Sequence, residues 1–126
     1  MYVIIMHILW DNLHSSEVKG LFMDVRVRRI GLDGLYVNAA GRLDLDNAVE
    51  YGSKVKNYIE DCEDTITDVT LDFSEIVFIS SFGLKVILEL YKQLKEQNGT
   101  IKITNVSEQI MSSFKMVGFD KFLKFE

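Results

Sequence analysis

The sequence of 126 residues contains no proline and a single cysteine, Cys62. A lone cysteine excludes an internal disulfide and is typical of a protein kept in a reducing cytosol. Residues 1–10 are apolar except for His7, but crossing a membrane takes about 20 apolar residues. They also lack the basic start and small-residue cleavage site of a signal peptide. The sequence therefore predicts a cytoplasmic protein that does not enter the membrane.

Residues that catalysis or metal binding requires are also scarce. The two histidines, His7 and His14, lie in the irregular N-terminal part. No His/Cys cluster has the spacing of a metal site, and neither a Gly-x-Ser-x-Gly motif nor a glycine-rich phosphate loop is present. We interpret Asp72 and Glu75 as strand-end and turn residues. The sequence predicts a protein that is not an enzyme and holds no metal or cofactor.

Charge and size limit the partners and the number of domains. The net charge is −5, which disfavours non-specific nucleic-acid binding because that needs a basic surface. An effect on transcription would therefore pass through another protein. Hydrophobic residues make up 48% and charged residues 26%, a normal balance for a globular protein, and the length suits one domain.

The hydrophobic pattern becomes regular at Met23. Residues 1–22 show no clear period, so we interpret them as an N-terminal extension and Met23 as a candidate start codon. Residues 23–126 are predicted to form one domain. Within it, strands alternate with helices, which predicts a mainly parallel sheet. An N-terminal antiparallel hairpin makes the predicted fold an α/β domain with a mixed sheet.

Alternating apolar residues predict the strands. The hairpin is predicted to turn at Asp33-Gly34, because this dipeptide favours tight hairpin turns. The motif Gly-Arg-Leu-Asp at 41–44 is interpreted as a break after the second strand. The apolar positions assigned to strands are Val25, Val27, Ile30, residues 35–40, Val69, Leu71, Phe73, Ile101 and Ile103.

Three helices are predicted near 44–61, 82–97 and 107–117, from apolar residues three and four apart. Asp44 and Ser107 are expected to cap the first and third. Gly99, in a left-handed conformation, is expected to end the second helix, and Gly118 to end the third. The predicted core faces are Leu45, Ala48, Val49, Gly52, Val55, Ile59 and Cys62; Leu84, Ile87, Leu88, Tyr91 and Leu94; and Ile110, Met111, Phe114 and Val117.

A second apolar row lies on the second helix. Phe82, Val86 and Leu90 recur every four residues, on a face offset from the predicted core stripe. Such a row forms either a ridge that binds a partner or an internal packing surface. The sequence leaves both interpretations open.

Several motifs, in their order, resemble the STAS family of bacterial anti-sigma factor antagonists. The resemblance covers residues 23–126. The matching segments are Gly-Arg-Leu-Asp at 41–44, Leu-Asp-Phe-Ser-Glu-Ile-Val-Phe-Ile at 71–79, Ser-Ser-Phe-Gly-Leu at 80–84, the helix at 86–94, and Val-Gly-Phe-Asp-Lys-Phe at 117–122. In the family, 80–83 reads Asp-Ser-Ser-Gly, so Ser80 replaces an aspartate and Phe82 replaces a serine.

The resemblance implies a protein partner and a phosphoacceptor. The partner would be an anti-sigma factor that is also a serine kinase, and its target would be Ser81. By residue type alone, Ser81 is interpreted as the N-cap of the second helix. The implied binding residues are Asp44, Ser80, Ser81, Phe82, Gly83, Lys85 and Val86, on a monomer or weak homodimer. The alternative is a STAS scaffold subunit of a larger signalling or transport assembly, without a phosphoswitch.

Overall fold

The computed structural model describes residues 23–126. The predicted extension over residues 1–22 lies outside the described residues. The elements follow in the order β1 (Val25–Ile30), β2 (Gly34–Ala39), β3 (Gly41–Leu43), α1 (Leu45–Asp61), β4 (Asp68–Asp72), β5 (Ile76–Ile79), α2 (Ser81–Glu96), β6 (Thr100–Thr104), α3 (Glu108–Met116), a 3-10 turn (Phe119–Lys121) and β7 (Lys124–Phe125). The three helices lie within one residue of their predicted bounds.

The predicted mixed sheet is confirmed. The main sheet has five strands in the order β1-β2-β4-β6-β7. Strands β1 and β2 are antiparallel, whereas β2-β4, β4-β6 and β6-β7 are parallel. Strands β3 and β5 form a second, two-stranded parallel sheet, which was not predicted. Segment 41–44 is therefore a short strand that runs into a helix cap, and the chain breaks at Ala40 instead.

The core lies between the main sheet and the helices. On β2, Leu35 and Val37 are buried while the intervening Tyr36 is only half-buried, so one face of this strand packs inward. The buried strand residues join buried residues of all three helices in one cluster. The aromatic rings of Phe73 and Phe114 extend this cluster below α3, with centroids 6.0 Å apart.

The predicted core faces of the helices need correction. On α1, Leu45 and Val49 are about half exposed, and the buried aromatic residue is Tyr51. On α2, Leu90 is fully buried while Leu88 is half-buried. Helices α1 and α2 contact each other, so burial depends on the neighbouring helix as well as on the sheet.

Ile30 and Val117 were also assigned inward positions, but both are exposed. Ile30 ends the edge strand β1, and Val117 follows the last turn of α3, so both lie at the margin of the described fold.

Two turns differ from the prediction. The β1-β2 hairpin turns over residues 31–33, with Gly31 left-handed at φ 66° and Ile30 paired with Gly34. After α2, Asn98 takes the left-handed conformation at φ 59°. Gly99 is needed for another reason, because a β-carbon there would lie 3.0 Å from the Thr67 backbone. The predicted end of α3 is confirmed, since Gly118 is left-handed.

Candidate functional site

The predicted site residues meet where two helices begin side by side. In the small parallel sheet, Leu43 of β3 is the register partner of Ile79 of β5. The next residue on each strand caps a helix. The Asp44 carboxylate accepts a hydrogen bond from the Asn47 backbone amide at 3.4 Å, and Ser80 caps α2. The fold thus places Asp44 beside segment 80–86.

Three hydrogen bonds hold the backbone amide and the hydroxyl of Ser80. Its backbone amide and its hydroxyl both donate to the Leu43 carbonyl, each at 2.9 Å. Its hydroxyl oxygen accepts from the Gly83 amide at 3.2 Å. The prediction that Ser81 is the N-cap was therefore wrong. The Leu43 carbonyl fixes Ser80 at the last extended position, which moves the cap one residue earlier.

Ser81 is consequently the first residue of α2, and its side chain is exposed. Within residues 23–126, the Ser81 hydroxyl makes no hydrogen bond to the protein. The first amides of a helix lack intrahelical partners and form the positive end of its dipole. A negatively charged group on Ser81 would thus be stabilised by these amides and by the positive end of the helix dipole.

The three residues of the apolar row on α2 differ in their exposure. Phe82 is 48% exposed, whereas Leu90 is 3% exposed and belongs to the core. Val86 is half-buried and packs on α1, so closely that a β-carbon on Gly52 would lie 2.7 Å from its Cγ1 atom. Phe82 is thus available to a partner, and Val86 and Leu90 mainly hold the helices together.

Two residues that were predicted to lie in the core belong instead to the exposed surface beside Phe82. Leu45 is 49% exposed and Val49 is 56% exposed, on the helix that begins beside Phe82. We call Leu45, Val49 and Phe82 the apolar surface. The signal in the sequence was that α1 has apolar residues on more than one face.

An open groove runs between α1 and α2 from this surface. Its volume is about 660 Å³, and Val49, Gly52, Val86 and Leu90 supply its apolar lining. Lysines and glutamates, including Lys56, line the groove farther along. The exposed Lys85 lies on α2, within the same turn as Phe82.

A separate polar cluster joins the end of β4 to β2 and to the segment that follows β6. Asp72 ends β4 and is buried; its carboxylate accepts hydrogen bonds from the Tyr36 hydroxyl, the Ser74 amide (2.9 Å) and the Asn105 side chain (3.1 Å). Burial alone would raise the pKa of Asp72, but these hydrogen bonds outweigh it and hold the pKa at about 2. The hydrogen bond that the Tyr36 hydroxyl donates to Asp72 also raises the pKa of Tyr36.

Glu75 and Cys62 also have structural surroundings. Glu75 lies in the turn before β5 and forms an exposed ion pair with Arg26 at 3.2 Å. Cys62 follows α1, is half-buried, and lies 3.6 Å from the Arg29 guanidinium. Within the described part of the chain, no three His, Cys, Asp or Glu side chains are grouped to hold a metal. No helix in that part is long and apolar enough to span a bilayer.

Comparison with known proteins gives the family. The anti-sigma-B factor antagonist of Bacillus subtilis (strain 168) is 27% identical over 84 residues, 67% of this chain and 73% of the relative. The fold is similar to that of the anti-sigma factor antagonist SpoIIAA in its unphosphorylated form (TM-score 0.66, 16% identity, 82% of this chain and 87% of that chain). A putative anti-sigma factor antagonist from Thermotoga maritima is also similar (TM-score 0.70, 16% identity, 80% and 84%). Because the STAS domain model matches residues 24–126, the chain belongs to the STAS domain family.

Proposed function

We propose that this chain is an anti-sigma factor antagonist, a cytoplasmic binding protein that is not an enzyme. It binds an anti-sigma factor of the serine-kinase type and thereby frees a sigma factor. Phosphorylation of Ser81 by that kinase ends the binding. The observation that carries this proposal is the difference between two adjacent serines. Ser80 is hydrogen-bonded into the fold, whereas Ser81 is exposed and its hydroxyl makes no hydrogen bond to residues 23–126.

This difference explains why a serine can replace the aspartate expected at position 80. An aspartate before a helix accepts a backbone amide, and the Ser80 hydroxyl does the same for Gly83. Unlike aspartate, Ser80 brings no negative charge next to Ser81. A phosphoryl group arriving at Ser81 would therefore meet less repulsion, which supports Ser81 as the acceptor.

Phosphorylation can release a partner while leaving the domain folded. A phosphate adds about −1.5 to −2 charges, which the free amides at the start of α2 can accommodate. The adjacent Phe82 is half exposed, so a partner that covers Phe82 would also cover Ser81. Burying an unpaired charge in such a contact costs several kcal/mol.

The proposed binding surface has two kinds of residue: those that contact the partner and those that hold the contacting residues in position. Ser81, Phe82 and Lys85 are exposed and would touch the partner directly. The remaining members hold these three in place through the helix caps and the α1-α2 contact; they are Asp44, Ser80, Gly83 and Val86. The chain acts as a monomer or weak homodimer.

Calorimetric titration of an anti-sigma kinase with Ser81→Asp and Ser81→Ala variants tests the switch. The Ser81→Ala variant should bind and remain bound. Binding of Ser81→Asp should be at least about tenfold weaker, which corresponds to about 1.4 kcal/mol. Circular dichroism should show both folded, because aspartate is favoured in the first helical turn.

Incubation of the unmodified chain with the kinase and ATP, followed by mass spectrometry, should place the phosphate on Ser81. Phosphate on Ser80 alone would contradict the assignment. Equal affinities of the two folded Ser81 variants would also contradict it, and would favour the alternative of a STAS scaffold subunit without a phosphoswitch.

A further inference from the structure

The exposed face of α2 carries a regular row of charged residues. The row alternates in sign at intervals of four, three and four residues, and its members are Lys85, Glu89, Lys92 and Glu96. Such steps keep side chains on one face of a helix, and all four residues are exposed. We call these four residues the charged row. All but Lys85 also line the groove between α1 and α2, so the charged row forms one edge of that groove.

Ion pairing within α2 does not account for the charged row. Among residues 23–126, none of its four side chains takes part in an ion pair. Both four-residue steps place the lysine before the glutamate, which is the less favourable order for a pair within a helix. Glu96 is also the last residue of α2, where the negative end of the helix dipole disfavours a carboxylate. These charges are therefore available to another molecule with a complementary pattern.

The charged row is complementary to a second copy of itself. Lys85 lies as far from the midpoint of the row as Glu96 does on the other side, and Glu89 lies as far from it as Lys92 does. When two such helices lie antiparallel about a two-fold axis at this midpoint, Lys85 faces Glu96 of the partner subunit. Glu89 likewise faces Lys92 of the partner subunit. Because a two-fold interface contains each contact twice, four ion pairs form.

The groove provides the same arrangement with an apolar floor. Val86 and Leu90 lie along the groove on the α2 side, and Val49 and Gly52 lie on the α1 side. An antiparallel helix placed along α2 would cover this floor with the aliphatic parts of its lysine and glutamate side chains. Exposed ion pairs are individually weak and are screened by salt. The contact is therefore expected to be weak and to weaken further as the salt concentration rises.

We infer that a second copy of this chain binds on the charged row of α2, with the two α2 helices antiparallel, and that a weak homodimer results. This inference does not depend on a sigma-factor pathway. Its consequence for regulation does rest on the proposed function, which assigns Lys85 to the contact with the anti-sigma factor. The homodimer and the anti-sigma factor then compete for Lys85, so self-association lowers the amount of free antagonist when the chain is concentrated.

Sedimentation equilibrium of charge-reversed variants tests the pairing. Lys85→Glu and Glu96→Lys each place like charges opposite one another, and each should weaken self-association at least about tenfold. An equimolar mixture of the two variants should recover the affinity of the unmodified chain, because every carboxylate of the row then faces an ammonium group. The matched control is Lys95→Glu, the same change of charge at an exposed position on another face of α2. It should stay within about twofold of the unmodified chain.

Three results would overturn the inference. The first is an unmodified chain that stays monomeric at low salt up to millimolar concentration. The second is self-association that responds equally to Lys85→Glu and Lys95→Glu. The third is a mixture that associates no better than its two components, since the row would then face something other than an antiparallel copy. Circular dichroism confirms that each variant is folded. The assay contains no anti-sigma factor and leaves Ser81 unchanged, so its failure is distinct from a failure of the proposed function.

Discussion

A β-carbon at Gly83 would lie 2.8 Å from the Leu43 carbonyl oxygen and 2.6 Å from Cγ1 of Ile79. The Leu43 oxygen is a backbone atom that also accepts both Ser80 hydrogen bonds, so it cannot move aside. Any side chain at position 83 would therefore push α2 away from the β3-β5 pair. The backbone of Gly83 has ordinary helical geometry, so glycine is required here by the close contact and not by the backbone conformation.

We expect Gly83→Ala to lower the free energy of unfolding by about 1–2 kcal/mol, as overpacking usually does. In an unconstrained helix interior the same change would raise it by about 1 kcal/mol. The control is Gly52→Ala, whose β-carbon would meet only the Val86 side chain and should cost less. Urea denaturation measures both variants; a stabilised Gly83→Ala protein would contradict the close contact.

The two serines should differ in their contribution to stability. Ser80→Ala removes the cap of α2 and should lower the free energy of unfolding by about 1 kcal/mol. Ser81→Ala removes an exposed hydroxyl and should change it by less than about 0.5 kcal/mol. Thermal denaturation of the two variants and the unmodified protein measures this difference in stability. A larger loss of stability in Ser81→Ala than in Ser80→Ala would indicate that Ser81 is the cap.

Phe82 should matter for binding more than for stability. Phe82→Ser removes the exposed aromatic ring and should weaken binding to the anti-sigma factor by about tenfold or more, as central aromatic contacts often do. Val77→Ser is the control, since Val77 is exposed on β5. Surface plasmon resonance compares the dissociation constants. If Phe82→Ser binds as tightly as Val77→Ser, the partner contacts another surface.

Asp72 should make the fold sensitive to acid. Its pKa in the folded protein, about 2, is below the unfolded value of about 3.9, so the carboxylate stabilises the fold at neutral pH. This contribution, about 2 kcal/mol, is present above pH 4 and is lost as pH falls through about 2. Asp72→Asn should therefore be less stable at pH 7 and show a weaker loss between pH 4 and pH 2.

The matched control for Asp72 is Asp68→Asn, on the exposed residue at the other end of β4. Denaturation midpoints from pH 2 to pH 7 should follow the unmodified protein in this control. An unchanged acid profile in Asp72→Asn would show that other groups cause the acid sensitivity.

The sequence predicted the elements whose signals are local. The caps at Asp44 and Ser107 were predicted correctly, because a polar residue before an amphipathic run acts on amides only three residues away. The β3-β5 pair was missed because strands of three and four residues are too short to show alternation. The sequence also could not decide between Ser80 and Ser81, since both are good caps and a distant carbonyl selects one.

Burial on the helices was predicted less well for a related reason. Helix α1 has apolar residues on several faces, and periodicity does not reveal which face meets α2. Val49 was therefore placed in the core and Tyr51 was not considered. The Asp72 cluster was not predicted either, because its side-chain donors Tyr36 and Asn105 come from β2 and from the segment after β6.

The hydrogen bond from Ser80 to Leu43 connects positions 37 residues apart. Contacts of such long range form only after the intervening chain has been brought together. During synthesis, a nascent chain that ends before β5 lacks the strand that aligns the two helix starts. The proposed binding surface therefore first exists once β5 and α2 have left the ribosome. Engagement of a partner is thereby restricted to chains that have largely completed folding.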